Sequence, residues 1–181
     1  MKTALTLSGS IRQGSYNQLL QAHVGRKLEA AGVSVNAISL ADFPMPIFNE
    51  DLEADNVPEA AVQLAELWRS HDIIFIASPE YNGGTPPLLI NTITWISRQR
   101  PSVFRHAVFG IGGVSSGKYG TIFSLSHLRD ALSKVGALVV PTLLGIGPAE
   151  EALDAEGNPT EPAIIRKVDA VVHELTHFNR G

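Results

Sequence analysis

The 181-residue sequence contains no cysteine. That absence excludes disulfides, thiolate metal sites, iron–sulfur clusters and cysteine nucleophiles together. There is no excess of positive charge either. Fourteen Lys and Arg against eighteen Asp and Glu give a formal charge of −4, which argues against nucleic acid or an anionic membrane as a main partner. No unbroken apolar stretch is long enough to cross a bilayer. The N-terminal apolar run meets Ser8, Gly9, Ser10 and Arg12 too early for a signal peptide, so a cytoplasmic protein is expected. Internal repeats, low-complexity tracts and linkers are also missing. With 44% hydrophobic residues, residues 1–181 read as one domain able to bury a core.

Apolar periodicity alternates between two types. Residues 3–7 form a short strand, and Leu20, Val24, Leu28 and Ala31 then share a helical face that stops at Gly32. Residues 33–40 alternate as a second strand, and 42–55 read as a loop. Asn56 is expected to cap a helix with Pro58 near its first position and Glu59 completing a capping box. Ala61, Leu64, Ala65 and Trp68 supply its buried face. The apolar run 73–77 suits a central parallel strand covered on both sides. A helix opens at Thr85 and Pro86, a strand covers 108–111, and Leu125, Leu128, Leu132 and Val135 mark a helix ending at Gly136. The fifth strand is 138–140, with 143–146 as its candidate continuation past Pro141. A last helix from about Thr160 carries Ile164, Ile165, Val168, Val171, Val172 and Leu175. Five strand–helix alternations predict an α/β fold with a mostly parallel sheet. Right-handed crossovers then bring the loops after the strands to one edge.

Three of those loops have unusual composition. Residues 8–17 combine Ser8, Ser10, Ser15 and Asn17 with Gly9, Gly14 and one cation, Arg12, just before a helix start. Short donors, one charge and free helical N–H groups are what a monophosphate requires; an ordinary capped turn is the plainer alternative. Residues 78–87 place Pro79, Glu80, Tyr81, Asn82, Gly83 and Gly84 in order. The glycines let backbone amides face a planar ligand, and Tyr81 offers an apolar ring with a polar tip. Glu80 reads as a solvated carboxylate or an interface ion-pair partner rather than as an acid–base catalyst. Residues 112–120 hold Ser115, Ser116, Gly117 and Tyr119, suited to the edge of a ring system.

Other patterns imitate known motifs. Gly112, Gly117 and Lys118 have the spacing of a triphosphate-binding loop, but Tyr119 stands where Mg²⁺ needs Ser or Thr. His173, Glu174 and His177 match the zinc-protease pattern by letter. Their helical phase puts both histidines opposite the Val168, Val171 and Leu175 stripe, and no third ligand follows, so no metal site is assigned. Residues 154–158 read as a turn without the downstream carboxylates of a calcium loop. Leu88, Leu89, Ile90, Ile93, Trp95 and Ile96 make one helix apolar over more than one face, suggesting a subunit interface or burial under a loop.

The three loops, in this order, resemble those of the NADPH-dependent FMN reductases, flavodoxin-like flavoproteins that include flavin, quinone, azo-dye and chromate reductases. The matching stretches are Gly9-Ser-Ile-Arg-Gln-Gly-Ser-Tyr-Asn-Gln-Leu19, Pro79-Glu-Tyr-Asn-Gly83 continuing through Pro87, Leu89, Asn91, Trp95, Ser97 and Arg98, and Ser116-Gly-Lys-Tyr-Gly120 with Leu128 and Arg129. The resemblance implies a flavodoxin-like three-layer sandwich with a five-stranded parallel sheet. It implies an FMN phosphate on Ser10, Arg12, Ser15 and Asn17, with Tyr16 in the same loop. The flavin ring would lie against Pro79, Glu80, Tyr81, Asn82 and Gly83 on one side and Ser115, Ser116, Gly117 and Tyr119 on the other. It further implies NADPH or NADH as co-substrate, a quinone, free flavin or similar small molecule as electron acceptor, and a homodimer or homotetramer. No side chain is assigned as catalytic, because the flavin carries the chemistry. An FMN-binding electron carrier or regulatory flavoprotein with little turnover is the alternative. The chain departs from the family at Ile90, Thr94, Thr121 and Ile122, where Lys, Asp, Gly and Arg are frequent. These positions lie on helices associated with the subunit interface and the active-site rim.

Overall fold

The central strands are built from residues that leave no room for water. In the computed structural model, which describes residues 1–179, β3 (Ile73–Ala77) is buried at every position. β1 (Thr3–Ser8) pairs in parallel with β3 on one side and with β2 (Ser34–Ser39) on the other. β3 in turn pairs with β4 (Val108–Val114). The fifth position is shared by two short segments on either side of Pro141: β5 (Leu138–Val139) pairs with the start of β4, and β6 (Leu144–Ile146) with its end. Proline lacks the N–H a ladder needs, so the strand is interrupted and then resumed. The order β2-β1-β3-β4-β5 is the 2-1-3-4-5 order of flavodoxin-like sheets, whose ligands bind beyond the strand ends at the β1/β3 switch point.

Each face of the sheet has its own core. On one, α1 (Tyr16–Ala30) and α7 (Pro162–His177), which follows the short α6 (Ala149–Ala152), place Leu20, Val24, Leu28, Val168, Val171 and Leu175 against Ala4, Phe75 and Val108. On the other, α3 (Glu59–Arg69), α4 (Pro87–Ser97) and α5 (Ile122–Lys134) place Leu64, Trp68, Leu89, Ile93, Ile96, Leu125, Leu128 and Leu132 against Leu5, Leu7, Ile74 and Ile76. Truncating one of these buried leucines to alanine costs about 2–5 kcal/mol. Trp68 is wholly buried and meets Phe104 edge-on at 5.4 Å between centroids.

Several local expectations need correction. Asn56 does not cap the third helix: α3 begins after Pro58 with no side-chain cap, and Asn56 instead closes α2 (Glu50–Asp55). That short helix lies within the stretch read as a loop and is capped by Asn49, whose Oδ1 accepts the Asp51 N–H at 2.8 Å. Ala31 is exposed rather than on the buried face of α1. β4 continues through Gly112 and Gly113, which read as loop residues. On α4, Leu89, Ile93, Trp95 and Ile96 are buried within the chain. Trp95 lies under the 46–50 segment, donating through Nε1 to Pro46 O at 2.8 Å and meeting Phe48 edge-on at 4.9 Å. Asn91 fixes the same segment through Phe48 N and Pro46 O. At the opposite end of the sheet, Asp72 accepts the N–H and hydroxyl of Thr3 at 2.8 and 3.1 Å.

Candidate functional site

The first loop leaves β1 pressed against the second. Gly9 N–H donates to Ala77 O at 2.8 Å, and a Cβ on Gly9 would stand 3.3 Å from both Leu89 and Pro79. Ser10 is buried, its N–H held by Ser8 Oγ at 3.1 Å and its carbonyl by Gln18 Nε2 at 3.2 Å. The chain turns through Gly14 at φ +65° and enters α1 at Ser15, whose Oγ accepts the Asn17 N–H at 3.2 Å. The first turn of α1 carries no acidic residue. Exposed Arg12 donates to Gln13 O at 3.1 Å and forms no ion pair among the described residues. Partial positive charge at the helix start and a guanidinium therefore act together. Asn17 is buried, and its amide bonds both polar groups of Val114, at 3.0 Å to the carbonyl and 2.9 Å from the N–H. One N–H and one lone pair of that amide thus tie the start of α1 to the end of β4. Tyr16 is half-buried against the neighbouring core.

The second loop is shaped by a tight hairpin. Tyr81 and Gly84 exchange N–H···O bonds at 3.1 and 2.9 Å, and Asn82 and Gly83 between them have φ of 52° and 73°. Two positive φ values define the turn type that Asn-Gly favours. The loop is fastened to α5 through one residue, Ser124. Glu80 Oε2 accepts its N–H at 3.0 Å, Pro79 O accepts its hydroxyl at 2.9 Å, and Thr85 Oγ1 donates to its carbonyl at 3.2 Å. Within this chain, therefore, the Glu80 carboxylate caps a helix rather than standing free.

The third loop stands on β4 and β6. Ser115 N–H donates to Ile146 O at 3.1 Å, and its Oγ donates to Gly120 O at 2.9 Å. A Cβ on Gly113 would collide with Ser78 O and Thr121 Oγ1, so only glycine lets the second and third loops approach this closely. Gly112 packs inside the sheet against Leu144 and Phe75, which removes it from the triphosphate-loop pattern. Ser116, Gly117, Lys118 and Tyr119 are exposed, Tyr119 at 78%.

These loops enclose a cavity of about 270 Å³ lined by Ser10, Arg12, Ser15, Tyr16, Asn17, Pro79, Glu80, Tyr81, Val114, Ser115 and Ser116. Asn82, Gly83, Gly117 and Tyr119 lie outside that lining. Val114 was not singled out by sequence, because a strand-end valine carries no composition signal. Of the departures, Ile90 and Ile122 are exposed at 38% and 39%, Thr94 donates to Ile90 O, and Thr121 is fully buried.

The remaining motifs lie elsewhere. His173 and His177 stack at 4.0 Å on the exposed side of α7, and Glu174 accepts from Thr142 N and Oγ1 at 3.1 and 2.7 Å. The 154–158 turn is organised by Asp154, which accepts from Glu156 N and Asn158 N and whose carboxyl is held below its usual range chiefly by the Asn158 side chain.

A family model described as NADPH-dependent FMN reductase matches residues 2–151. The chain is 38% identical over 157 residues to the NAD(P)H-dependent FMN reductase of Pseudomonas aeruginosa, covering 84% of this chain and 82% of that one. It is 33% identical over 152 residues to a quinone reductase of Escherichia coli, covering 78% and 76%. Its backbone is similar to the flavoenzyme NAD(P)H:(acceptor) oxidoreductase FerB of Paracoccus denitrificans, with a TM-score of 0.82, 26% identity and 99% and 100% coverage. Sheet order, the three-loop cavity and these likenesses agree: the chain belongs to the NADPH-dependent FMN reductase family.

Proposed function

We propose that the cavity binds FMN and that the protein passes reducing equivalents from NADPH or NADH to a small-molecule acceptor such as a quinone or free flavin. The observation that carries this reading is the convergence of all three loops on one cavity with a cationic helix start at one end. The donor set fits the cofactor: Ser10, Arg12 and Ser15 surround the α1 start, whose first turn carries no acid, and 79–83 and 115–119 offer backbone and aromatic surface to a ring. When bound, FMN supplies the hydride chemistry.

The chain's residues bind, orient and shield. Arg12, Ser10, Ser15 and the free N–H groups of α1 hold the phosphate. Asn17 keeps that anchor in register with β4. The 79–83 and 115–119 segments would hold the ring when FMN is bound, with exposed Tyr81 and Tyr119 within those segments. We further propose that residues 1–181 form one domain of a cytoplasmic homodimer or homotetramer, with Ile90 and Ile122 at the contact.

Titration of purified protein with FMN and steady-state oxidation of NADPH and NADH, with quinone and flavin acceptors, test this. One FMN per chain with acceptor-dependent turnover is the expected result. Failure to take up FMN overturns the reading, and stoichiometric FMN without turnover leaves a carrier in its place.

A further inference from the structure

The first turn of α5 is as exposed to electrostatic need as that of α1, but it is served from outside the helix. Its N-cap, Thr121, makes no capping bond, and the buried Thr121 Oγ1 has no hydrogen-bond partner. No acidic residue lies in the first turn. Among the described residues the carboxylate given to this helix start is that of Glu80, 3.0 Å from Ser124 N, and Glu80 also lines the cavity. Ser124 is fully buried and holds the second loop by its hydroxyl and carbonyl as well. The contact therefore joins a helix dipole to the loop that carries the 82–83 turn.

Resting on the flavin reading above, we infer that Glu80 is a positioning residue with two effects on one cofactor. Its carboxylate fixes the 79–84 loop on α5, so the ring meets a preformed surface. Its negative charge cancels the positive end of α5 where that end would otherwise act on the ring. Reduction adds negative charge to a flavin, so a carboxylate in this place holds the reduction potential down. Gln at position 80 still accepts the Ser124 N–H through its amide oxygen but removes the charge; Ala removes both. The two substitutions separate the effects.

The test compares wild type, Glu80→Gln and Glu80→Ala. Glu80→Ala is expected to weaken FMN and riboflavin binding by the same factor, about tenfold, because the ring and not the phosphate loses its support. Glu80→Gln is expected to bind FMN within about threefold of wild type and to raise the midpoint potential of the bound flavin. Wild-type riboflavin and FMN affinity in Glu80→Ala would overturn the positioning effect. An unchanged potential in a Glu80→Gln protein that binds FMN would overturn the electrostatic one. Thermal unfolding without FMN is read in parallel: Glu80→Ala lowers Tm even there, and an unchanged Tm would sink the cap. A wild type that binds no FMN would remove the flavin reading while leaving that unfolding comparison intact.

Discussion

One helix, α1, begins in the lining of the cavity and another, α5, begins against its Glu80, and their first turns are treated oppositely. α1 is capped by its own Ser15, has no acid in its first turn and has Arg12 ahead of it. α5 lacks a cap of its own and receives the Glu80 carboxylate from another loop. One backbone feature thus yields a positive site and a neutralised one. On the proposed reading an anion docks at α1, and the α5 side faces an uncharged ring.

The largest effect should follow loss of the strut that keeps these two starts together. Asn17→Ala strips buried Val114 of both amide partners and should destabilise the protein by about 2–4 kcal/mol, with FMN uptake impaired. Urea unfolding measures the first effect, and an unchanged midpoint would show that the loops meet without Asn17. Arg12→Glu inverts the charge ahead of α1 and should weaken FMN about a hundredfold, leaving riboflavin affinity within error. Equal losses for both ligands would erase the distinction between the two helix starts. Ser15→Ala should cost about 1 kcal/mol through the lost cap, with FMN affinity about tenfold lower in fluorescence titration. Far from the cavity, Asp72 serves as the control. Its carboxyl lies below its usual value of 3.8, chiefly through the Thr3 N–H. A depressed folded pKa adds stability above the unfolded value, and that contribution disappears as pH falls through the folded one. Asp72→Asn should therefore flatten the stability–pH curve below about pH 4, slightly destabilise the protein at neutral pH and leave FMN binding alone.

Much of this could be read from residue order. Buried stripes such as Ala61, Leu64, Ala65 and Trp68 announce their helix because burial enforces their spacing. That Ser10, Arg12, Ser15 and Asn17 would share one cavity was legible because they are local to one another. What escaped was decided by distant partners. Gly112 and Gly113 suggest a loop by composition, yet they belong to β4 because Leu144, Phe75, Ser78 and Thr121 crowd them. Glu80 looked solvated because Ser124, which fixes its role, lies 44 positions along the chain. Helix α2 has no buried residue, hence no apolar period to betray it. Asn17 was assigned by resemblance to a phosphate, whereas its amide also reaches Val114 across 97 positions.

The placement of the two tryptophans divides the optical signal of the protein. Trp68 sits wholly buried among Phe104 and Phe109. Trp95 is roofed by Pro46 and Phe48, a covering held by a few hydrogen bonds. Emission from Trp95 in a Trp68→Phe background therefore watches that roof alone, and a red shift on adding a ligand marks its lifting before any unfolding begins.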